Sequence, residues 1–294
     1  MIKENISGLI IDLRSNGGGS LSEALELTGL FIDRGPIVQT KDASGRVDIN
    51  YDPEPGIIYP GPLAVLVDRN SASASEIFAG AIQDYRRGII IGEPTFGKGT
   101  VQNVVDLNNF IEDSDEDHGR LKTTIAQFFR VSGGSNQHKG VIPDIIFPTA
   151  VYSSDQGESA YENALPWDQV KPARYYPLNA PVEMFEIAKS SHEKRIKNNK
   201  LFQLLMDDLN VKRDASNKKE ISLLESKRTK QREELLSANK DIKNAMRVEK
   251  GLPPLDDIRE ELEASDKESE EDDSIDILLN ESAEILNDLI SLPE

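Results

Sequence analysis

A serine cluster and a single lysine lie close together in the sequence, and their side chains could perform nucleophilic chemistry. The stretch 71–100 opens with SASASE and ends with Lys98 between two glycines in FGKGT. A serine hydroxyl becomes a nucleophile when a neighbouring base removes its proton. A lysine can be that base if desolvation lowers the pKa of its amine toward neutrality. No other stretch concentrates reactive side chains in this way.

Ser73 and Lys98 each have a structural interpretation as well. Ser73 with Glu76 fits the capping-box pattern of a helix start, which requires no chemistry. The same position would place the hydroxyl at the positive end of the helix dipole, and the small Ala72 and Ala74 would leave room for a substrate carbonyl. Lys98 follows a buried isoleucine strand, although an exposed turn is the commoner setting for a lysine. Spacing alone leaves both interpretations open.

Histidine is the weaker candidate for a base. We expect His118 in an acidic loop, His138 beside a lysine and His192 in a polar helix to be solvated surface residues. A Ser-His-Asp arrangement is therefore weakly supported.

The triple glycine at 17–19 also has two interpretations. Its amides could line an oxyanion hole, because glycine lets the backbone approach an anion closely, or it could be a tight connection from strand to helix. Neither GGG nor FGKGT has the spacing of a phosphate loop.

The elements around these residues predict an α/β fold. Continuous apolar runs predict buried strands, and capped segments with helical apolar spacing predict helices. A hairpin is expected at 36–51, and an edge or sheet-face strand at Thr123 to Val131. The buried strands are expected at 8–13, 63–67, 89–91 and 101–107, and the helices at 21–35, capped by Ser20 with Glu23, and at 74–86.

The net charge of -18 is concentrated near the end of the chain. Residues 256–294 contain sixteen acidic and two basic side chains, which is 2 minus 16, or -14. An acidic balance argues against nucleic-acid binding, which needs basic surface. The absence of cysteine excludes disulfides, a thiol nucleophile and thiolate-bound zinc. No apolar run reaches the roughly 18 residues of a membrane span.

The sequence changes character near residue 150. Prolines mark a connecting segment at 151–180, and amphipathic or highly charged helical patterns fill 181–294. An acidic run at 266–273 precedes a last amphipathic stretch that begins at Ile275. We therefore predict a core at 1–150, a connection, and a helical C-terminal extension with an acidic tail.

Four stretches resemble carboxy-terminal processing peptidases, specifically the tail-specific protease branch. They are NGGGSLSEALELTGLFI, VDRNSASASEIFAGAIQDYRR, IGEPTFGKGTVQ and KGVIPDI. The resemblance covers about residues 7–150, and the remainder, including ENALPWDQV, is similar to the C-terminal helical extension of that branch. It implies a crotonase/ClpP-like peptidase core built of repeated strand-strand-helix units.

The resemblance also implies roles for individual residues. The family's nucleophile and base are 25 positions apart, which places them on Ser73 and Lys98. Gln102 matches the residue that orients the lysine, and Gly19 with the Ala74 amide matches the oxyanion hole. No metal or cofactor is implied.

Asp84 matches a position proposed as a third functional residue in that branch. Eleven residues of helix span roughly 16 Å, so direct proton relay to Ser73 is improbable. We expect Asp84 to have a supporting, structural role, paired with Arg87.

The expected function is a serine endopeptidase that cleaves proteins near their C-terminal tails through an acyl-enzyme. Its substrates would have unstructured, apolar tails, and an adaptor protein is a further expected partner. The resemblance implies a periplasmic location. The first residues show no signal-like pattern, and the family's N-terminal helical region and PDZ domain do not precede the glycine loop here. We therefore expect an N-terminally truncated peptidase.

Two alternatives belong to other functional classes. The chain could be a non-catalytic interaction module or an inactive fragment of such a protease. It could also be an acyl-transfer enzyme on a crotonase-like fold, although the acidic composition gives no support for a coenzyme-binding surface. The acidic C-terminal segment could inhibit the enzyme or dock an adaptor, but a solvated helix face or a disordered tail is the commoner role for such a segment.

Overall fold

The computed structural model describes residues 6–52, 54–110, 117–150, 156–178, 182–218, 220–256 and 276–292. The acidic run at 266–273 and Ile275 lie outside these residues. The chain divides into two units. One comprises Met1–Ile146, Ser153–Phe185 and Leu289–Glu294, and the other comprises Phe147–Tyr152 and Glu186–Asp288.

Eight strands and six α-helices occur within the described residues. In chain order they are β1 (Leu9–Asp12), α1 (Leu21–Gly29), β2 (Pro36–Asp42), β3 (Val47–Tyr51), β4 (Leu63–Val67), α2 (Ala74–Asp84), β5 (Ile89–Gly92), β6 (Thr100–Asp106), β7 (Arg120–Phe129), β8 (Ile145–Ile146), α3 (Val182–Asn198), α4 (Lys200–Ser216), α5 (Glu225–Glu249) and α6 (Ile277–Ser291). None of these helices is long and apolar enough to cross a membrane.

The first sheet is parallel and confirms the three predicted buried strands. Its order is β1-β4-β5-β8, and Leu63 of β4 is the register partner of Leu9 in β1. Every residue of β4 and β5 is buried. Phe31, Phe78 and Ile82 are buried in one cluster with this sheet. Continuous apolar strands of this kind are expected where helices cover a parallel sheet.

The second sheet is antiparallel, with the order β3-β2-β7-β6. The predicted hairpin is confirmed as β2 and β3. The predicted fourth buried strand at 101–107 is wrong, because β6 belongs to this sheet and residues 102–104 are exposed. The polar Gln102 and Asn103 tolerate that exposure. The α/β class is thus observed as a mixed fold with two sheets, and the repeated strand-strand-helix units stay a prediction.

The helix starts around the glycine loop and the serine cluster were predicted correctly, but one cap was not. Ser20 precedes α1 without a capping hydrogen bond, and its Oγ lies 2.7 Å from Ser22 Oγ instead. The predicted capping box with Glu23 is therefore wrong. Helix α2 ends at Asp84 rather than at Arg86, which has a φ of 52°.

Histidine placement differs from expectation in the second unit. His192 of α3 is only 4% exposed, and its Nδ1 lies 2.8 Å from Glu281 Oε1 of α6. The predicted surface position is wrong because Glu281, distant in sequence, supplies a buried partner. In the first unit His138 is exposed as expected, whereas His118 is half-buried.

Candidate active site

Ser73 has a backbone conformation that L-residues rarely adopt. Its φ is 59° and its ψ is -114°, at the point where α2 begins. A conformation of this kind costs about 1–3 kcal/mol and persists only where the surroundings impose it. Here Ser73 N donates to Glu76 Oε2 at 2.8 Å, and Ser75 Oγ donates to the Asn16 carbonyl at 3.0 Å. Strained residues of this type concentrate at functional sites, so the strain marks Ser73 among the nearby serines.

The glycine loop packs against the start of α2. Gly18 has a φ of +92°, and a Cβ on it would lie 2.5 Å from the Ala72 carbonyl oxygen and 2.8 Å from Ala74 N. Ala72 N also donates to the Asn16 carbonyl at 3.0 Å. Only glycine permits so close an approach at this position. The loop is thus held directly beside Ser73.

The turn that carries Lys98 needs both of its glycines. A Cβ on Gly97, whose φ is +87°, would lie 2.9 Å from the carbonyl carbon of His138, and one on Gly99 would lie 2.8 Å from Gln137 N. Gly99 N donates to Gln137 Oε1 at 2.8 Å. Packing against residues 135–140 therefore fixes the backbone on either side of Lys98.

A buried carboxylate joins the serine turn to the lysine turn. Glu76 is 0% exposed, and its Oε2 accepts hydrogen bonds from Ser73 N at 2.8 Å and Lys98 N at 3.0 Å. Its Oε1 accepts from Gly97 N at 2.8 Å and Thr95 Oγ1 at 2.6 Å. Two segments more than twenty residues apart in the sequence are therefore held by one side chain.

Charge and burial favour a neutral form of Lys98. Burial lowers the pKa of the Lys98 amine, and the like charge of Lys122 lowers it further, whereas Glu158 and Glu76 raise it. Burial also raises the pKa of Glu76 to about 7, and its four donated hydrogen bonds oppose that rise. A half-buried lysine with a lowered pKa is suited to accept a proton near neutral pH.

One open cleft of about 420 Å³ collects the predicted site residues. Ser73 and Lys98 line it together with Gly19, Ala74 and Gln102. The other lining residues are Gly17, Gly18, Ser20, Leu21, Ile77, Thr100, Val101, Lys122 and Phe128. The described residues contain no group of three or more histidine or acidic side chains that could hold a metal ion. The cleft thus combines a hydroxyl, an amine and a glycine-rich backbone.

Asp84 is not among the residues that line this cleft. Its carboxylate accepts two hydrogen bonds from Arg130, at 3.1 and 2.7 Å, and one from Ser132 Oγ at 3.2 Å. The predicted pairing with Arg87 is wrong, because that guanidinium donates to the carbonyls of Phe31, Tyr59 and Gly61. The sequence could not identify Arg130, which lies 46 positions away.

Three further residues at the site were missed or underestimated. Glu76 was recognised only as a helix cap, although acceptance of four hydrogen bonds makes it the link between the two turns. Lys122 and Glu158 carried no motif that would have drawn attention to them. Only the antiparallel pairing of β6 with β7 and the path of the chain after residue 155 bring them near Lys98.

The comparisons with known proteins agree with this arrangement. The chain matches Peptidase family S41 over residues 1–147 and the C-terminal domain of tail specific protease over residues 151–291. The tail-specific protease of Haemophilus influenzae is 42% identical over 270 residues, which are 90% of this chain and 39% of that relative. The chloroplastic C-terminal processing peptidase of Tetradesmus obliquus is 38% identical over 153 residues, 52% of this chain and 31% of that relative.

A solved structure of a photosystem II D1 C-terminal processing protease is 38% identical, with a TM-score of 0.44. The match covers 50% of this chain and 36% of that one. The chain thus spans less than half the length of these relatives. Because the family match covers half of the chain and includes every residue of the cleft, the protein belongs to peptidase family S41.

Proposed function

We propose that this chain carries the catalytic site of a serine endopeptidase that cleaves proteins near their C-terminal tails. Ser73 is the proposed nucleophile and Lys98 the proposed general base. The observation that carries the proposal is that a strained serine at a helix start shares one cleft with a half-buried lysine of lowered pKa. Serine activation requires a base of this kind.

Acylation is the first half of the proposed reaction. The neutral amine of Lys98 takes the hydroxyl proton of Ser73, and the resulting alkoxide attacks the scissile carbonyl carbon. The peptide C–N bond then breaks, and the Lys98 ammonium gives its proton to the departing amine. The product is an ester between Ser73 and the N-terminal part of the substrate.

Deacylation uses the same two groups in the reverse order. The Lys98 amine, neutral again, takes a proton from a water molecule whose oxygen attacks the ester carbonyl. The C–O bond to Ser73 breaks, and the serine oxygen recovers its proton from Lys98. The enzyme returns to its starting state without any group other than water.

The tetrahedral oxyanion needs donors, and we assign this role to backbone amides of Gly19 and Ala74. Both residues line the cleft, and Gly18 between the loop and α2 keeps the two backbones in close contact. The positive end of α2 adds to the stabilisation. Gln102, on the strand that follows the Lys98 turn, is proposed to orient the lysine amine.

The proposed substrates are proteins with unstructured, apolar C-terminal tails. Leu21, Ile77, Val101 and Phe128 give part of the cleft an apolar wall, which suits an apolar side chain of an extended substrate. Recognition of the tail, an adaptor partner and a periplasmic location belong to the same proposal and rest on family resemblance. The relatives named as tail-specific or C-terminal processing proteases support the substrate class.

The decisive experiment compares Ser73→Ala and Lys98→Ala with the unaltered protein on an unstructured peptide with an apolar tail. We expect kcat to fall by roughly 10³-fold or more in each variant, because either change removes half of an interdependent pair. Lys171→Ala, on an exposed site outside the cleft, is the matched lysine control. Intact-mass analysis after acid quenching should detect the acyl adduct only when Ser73 is present. Undiminished cleavage by either cleft variant would exclude the dyad and favour a non-catalytic role for the chain.

A further inference from the structure

A segment from the C-terminal region of the chain packs directly on the turn that carries Lys98. Glu158 N donates to the Phe96 carbonyl at 3.0 Å, and the ring of Tyr161 lies 6.4 Å from that of Phe96. Gly157 has a φ of +89°, and a Cβ on it would lie 2.7 Å from the Phe96 carbonyl oxygen. This segment, residues 157–161, falls within the match to the C-terminal domain of tail specific protease.

A chain of side-chain hydrogen bonds runs from the same segment to the other side of the turn. Gln137 Nε2 donates to Glu158 Oε1 at 3.2 Å, and Gln137 Oε1 accepts from Gly99 N at 2.8 Å. The Glu158 side chain is therefore connected to the residue that follows Lys98. Because Glu158 N also bonds to Phe96, the segment holds the Lys98 turn at both ends.

Charged groups of both signs reach Lys98 from three elements. Lys122 on β7 contributes a positive charge, whereas Glu158 and Glu76 of α2 contribute negative ones. Glu76 is occupied by four hydrogen bonds and serves both turns. Glu158 is half-buried and Lys122 exposed, so each can be changed without leaving an empty space in the core.

We propose that Glu158 is a positioning residue for the peptidase reaction, which holds the Lys98 turn and, balanced by Lys122, sets the protonation state of Lys98. The inference rests on the proposed function of Lys98 and extends it. It makes the C-terminal region a part of the active site rather than an appendage. Removal or displacement of residues 157–161 would then change the pH range in which the enzyme works.

The sign of each effect follows from the charges. A carboxylate beside Lys98 stabilises the ammonium form, so loss of the Glu158 charge leaves more neutral amine at a given acidic pH. The Lys122 ammonium destabilises the Lys98 ammonium, so loss of its charge has the opposite effect. The acid limb of kcat/KM reports the ionisation of the base in the free enzyme.

The test is the pH profile of kcat/KM for Glu158→Gln, Lys122→Gln and the double variant. In Glu158→Gln the acid limb should move to lower pH and activity on that limb should rise about two- to fivefold, as expected for a partly exposed charge pair. In Lys122→Gln the limb should move to higher pH with a loss of similar size. The double variant should lie close to the unaltered protein.

Glu162→Gln, a charge change on an exposed residue beside the segment, is the control and should leave the limb in place. Shifts of the two single variants in the same direction, or no shift in Glu158→Gln, would overturn the proposal. Failure of the proposed function is recognised separately. If Lys98→Ala cleaves normally, the dyad is wrong; if it is inactive while the limb does not respond to Glu158, only the positioning role is wrong.

Discussion

Replacement of Glu76 by glutamine tests whether one buried side chain organises the site. The substitution preserves shape and removes a charge, but it exchanges one oxygen acceptor for an NH₂ donor. Oε1 accepts from Gly97 N, and Oε2 accepts from Ser73 N and Lys98 N. Either orientation of the new amide therefore turns a donor toward at least one buried backbone N–H.

The magnitude follows from counting the hydrogen bonds that cannot form. With the amide nitrogen at the Oε1 position, only Gly97 N loses its acceptor, because the Thr95 hydroxyl can rotate to accept instead. A buried donor left unsatisfied costs about 1–3 kcal/mol, and the opposite orientation would leave two such donors. We therefore expect Glu76→Gln to reduce the free energy of unfolding by about 1–3 kcal/mol.

Activity should suffer more than stability. The substituted side chain can no longer hold the Ser73 turn and the Lys98 turn in one geometry, and a misplacement of about 1 Å can cost on the order of 10²-fold in rate. Urea unfolding followed by circular dichroism measures the stability, and peptide cleavage measures kcat/KM. The control is Glu93→Gln, which removes a partly exposed ion pair with Arg69 and should cost only about 0–1 kcal/mol with no loss of activity.

Equal behaviour of the two variants would contradict the linking role of Glu76. If Glu76→Gln unfolds at the same urea concentration as Glu93→Gln and cleaves peptide at the unaltered rate, then Glu76 does not hold the two turns together. A loss of activity with no loss of stability would instead indicate that Glu76 acts on the reaction directly.

Two further substitutions test the surroundings of the cleft. Asp84→Asn should lower the free energy of unfolding by about 1–3 kcal/mol, because it weakens the two hydrogen bonds from Arg130, and should leave kcat/KM within about threefold; a loss of 10²-fold or more in a stable variant would restore a catalytic role for Asp84. Gly18→Ala should reduce kcat/KM by about 10²-fold, because its Cβ would collide with the Ala72 carbonyl, whereas Gly17→Ala, with no atom within 4 Å of the new Cβ, should be nearly neutral; equal effects of the two changes in the same cleavage assay would contradict the close packing.

Much of the first sheet could be predicted from the sequence because its strands are continuous apolar runs. Local patterns also located both helix starts beside the glycine loop and the serine cluster. The β6 strand was misassigned because Val101, Val104 and Val105 resemble a buried strand until the partner strand is known. Likewise His192 looked like a surface residue until α6 placed Glu281 against it.

The amino-acid sequence alone established the residue types of the candidate site and their order, because local spacing and motif are properties of the chain. It could not decide whether Ser73 and Lys98 meet, since each alone is explained by a cap or a turn. Their meeting depends on contacts between distant segments: Glu76 joins the two turns, Arg130 takes Asp84, and residues 157–161 return to the Lys98 turn. The tertiary structure was needed because buried polar groups require partners, and those partners are brought together only when the whole chain packs.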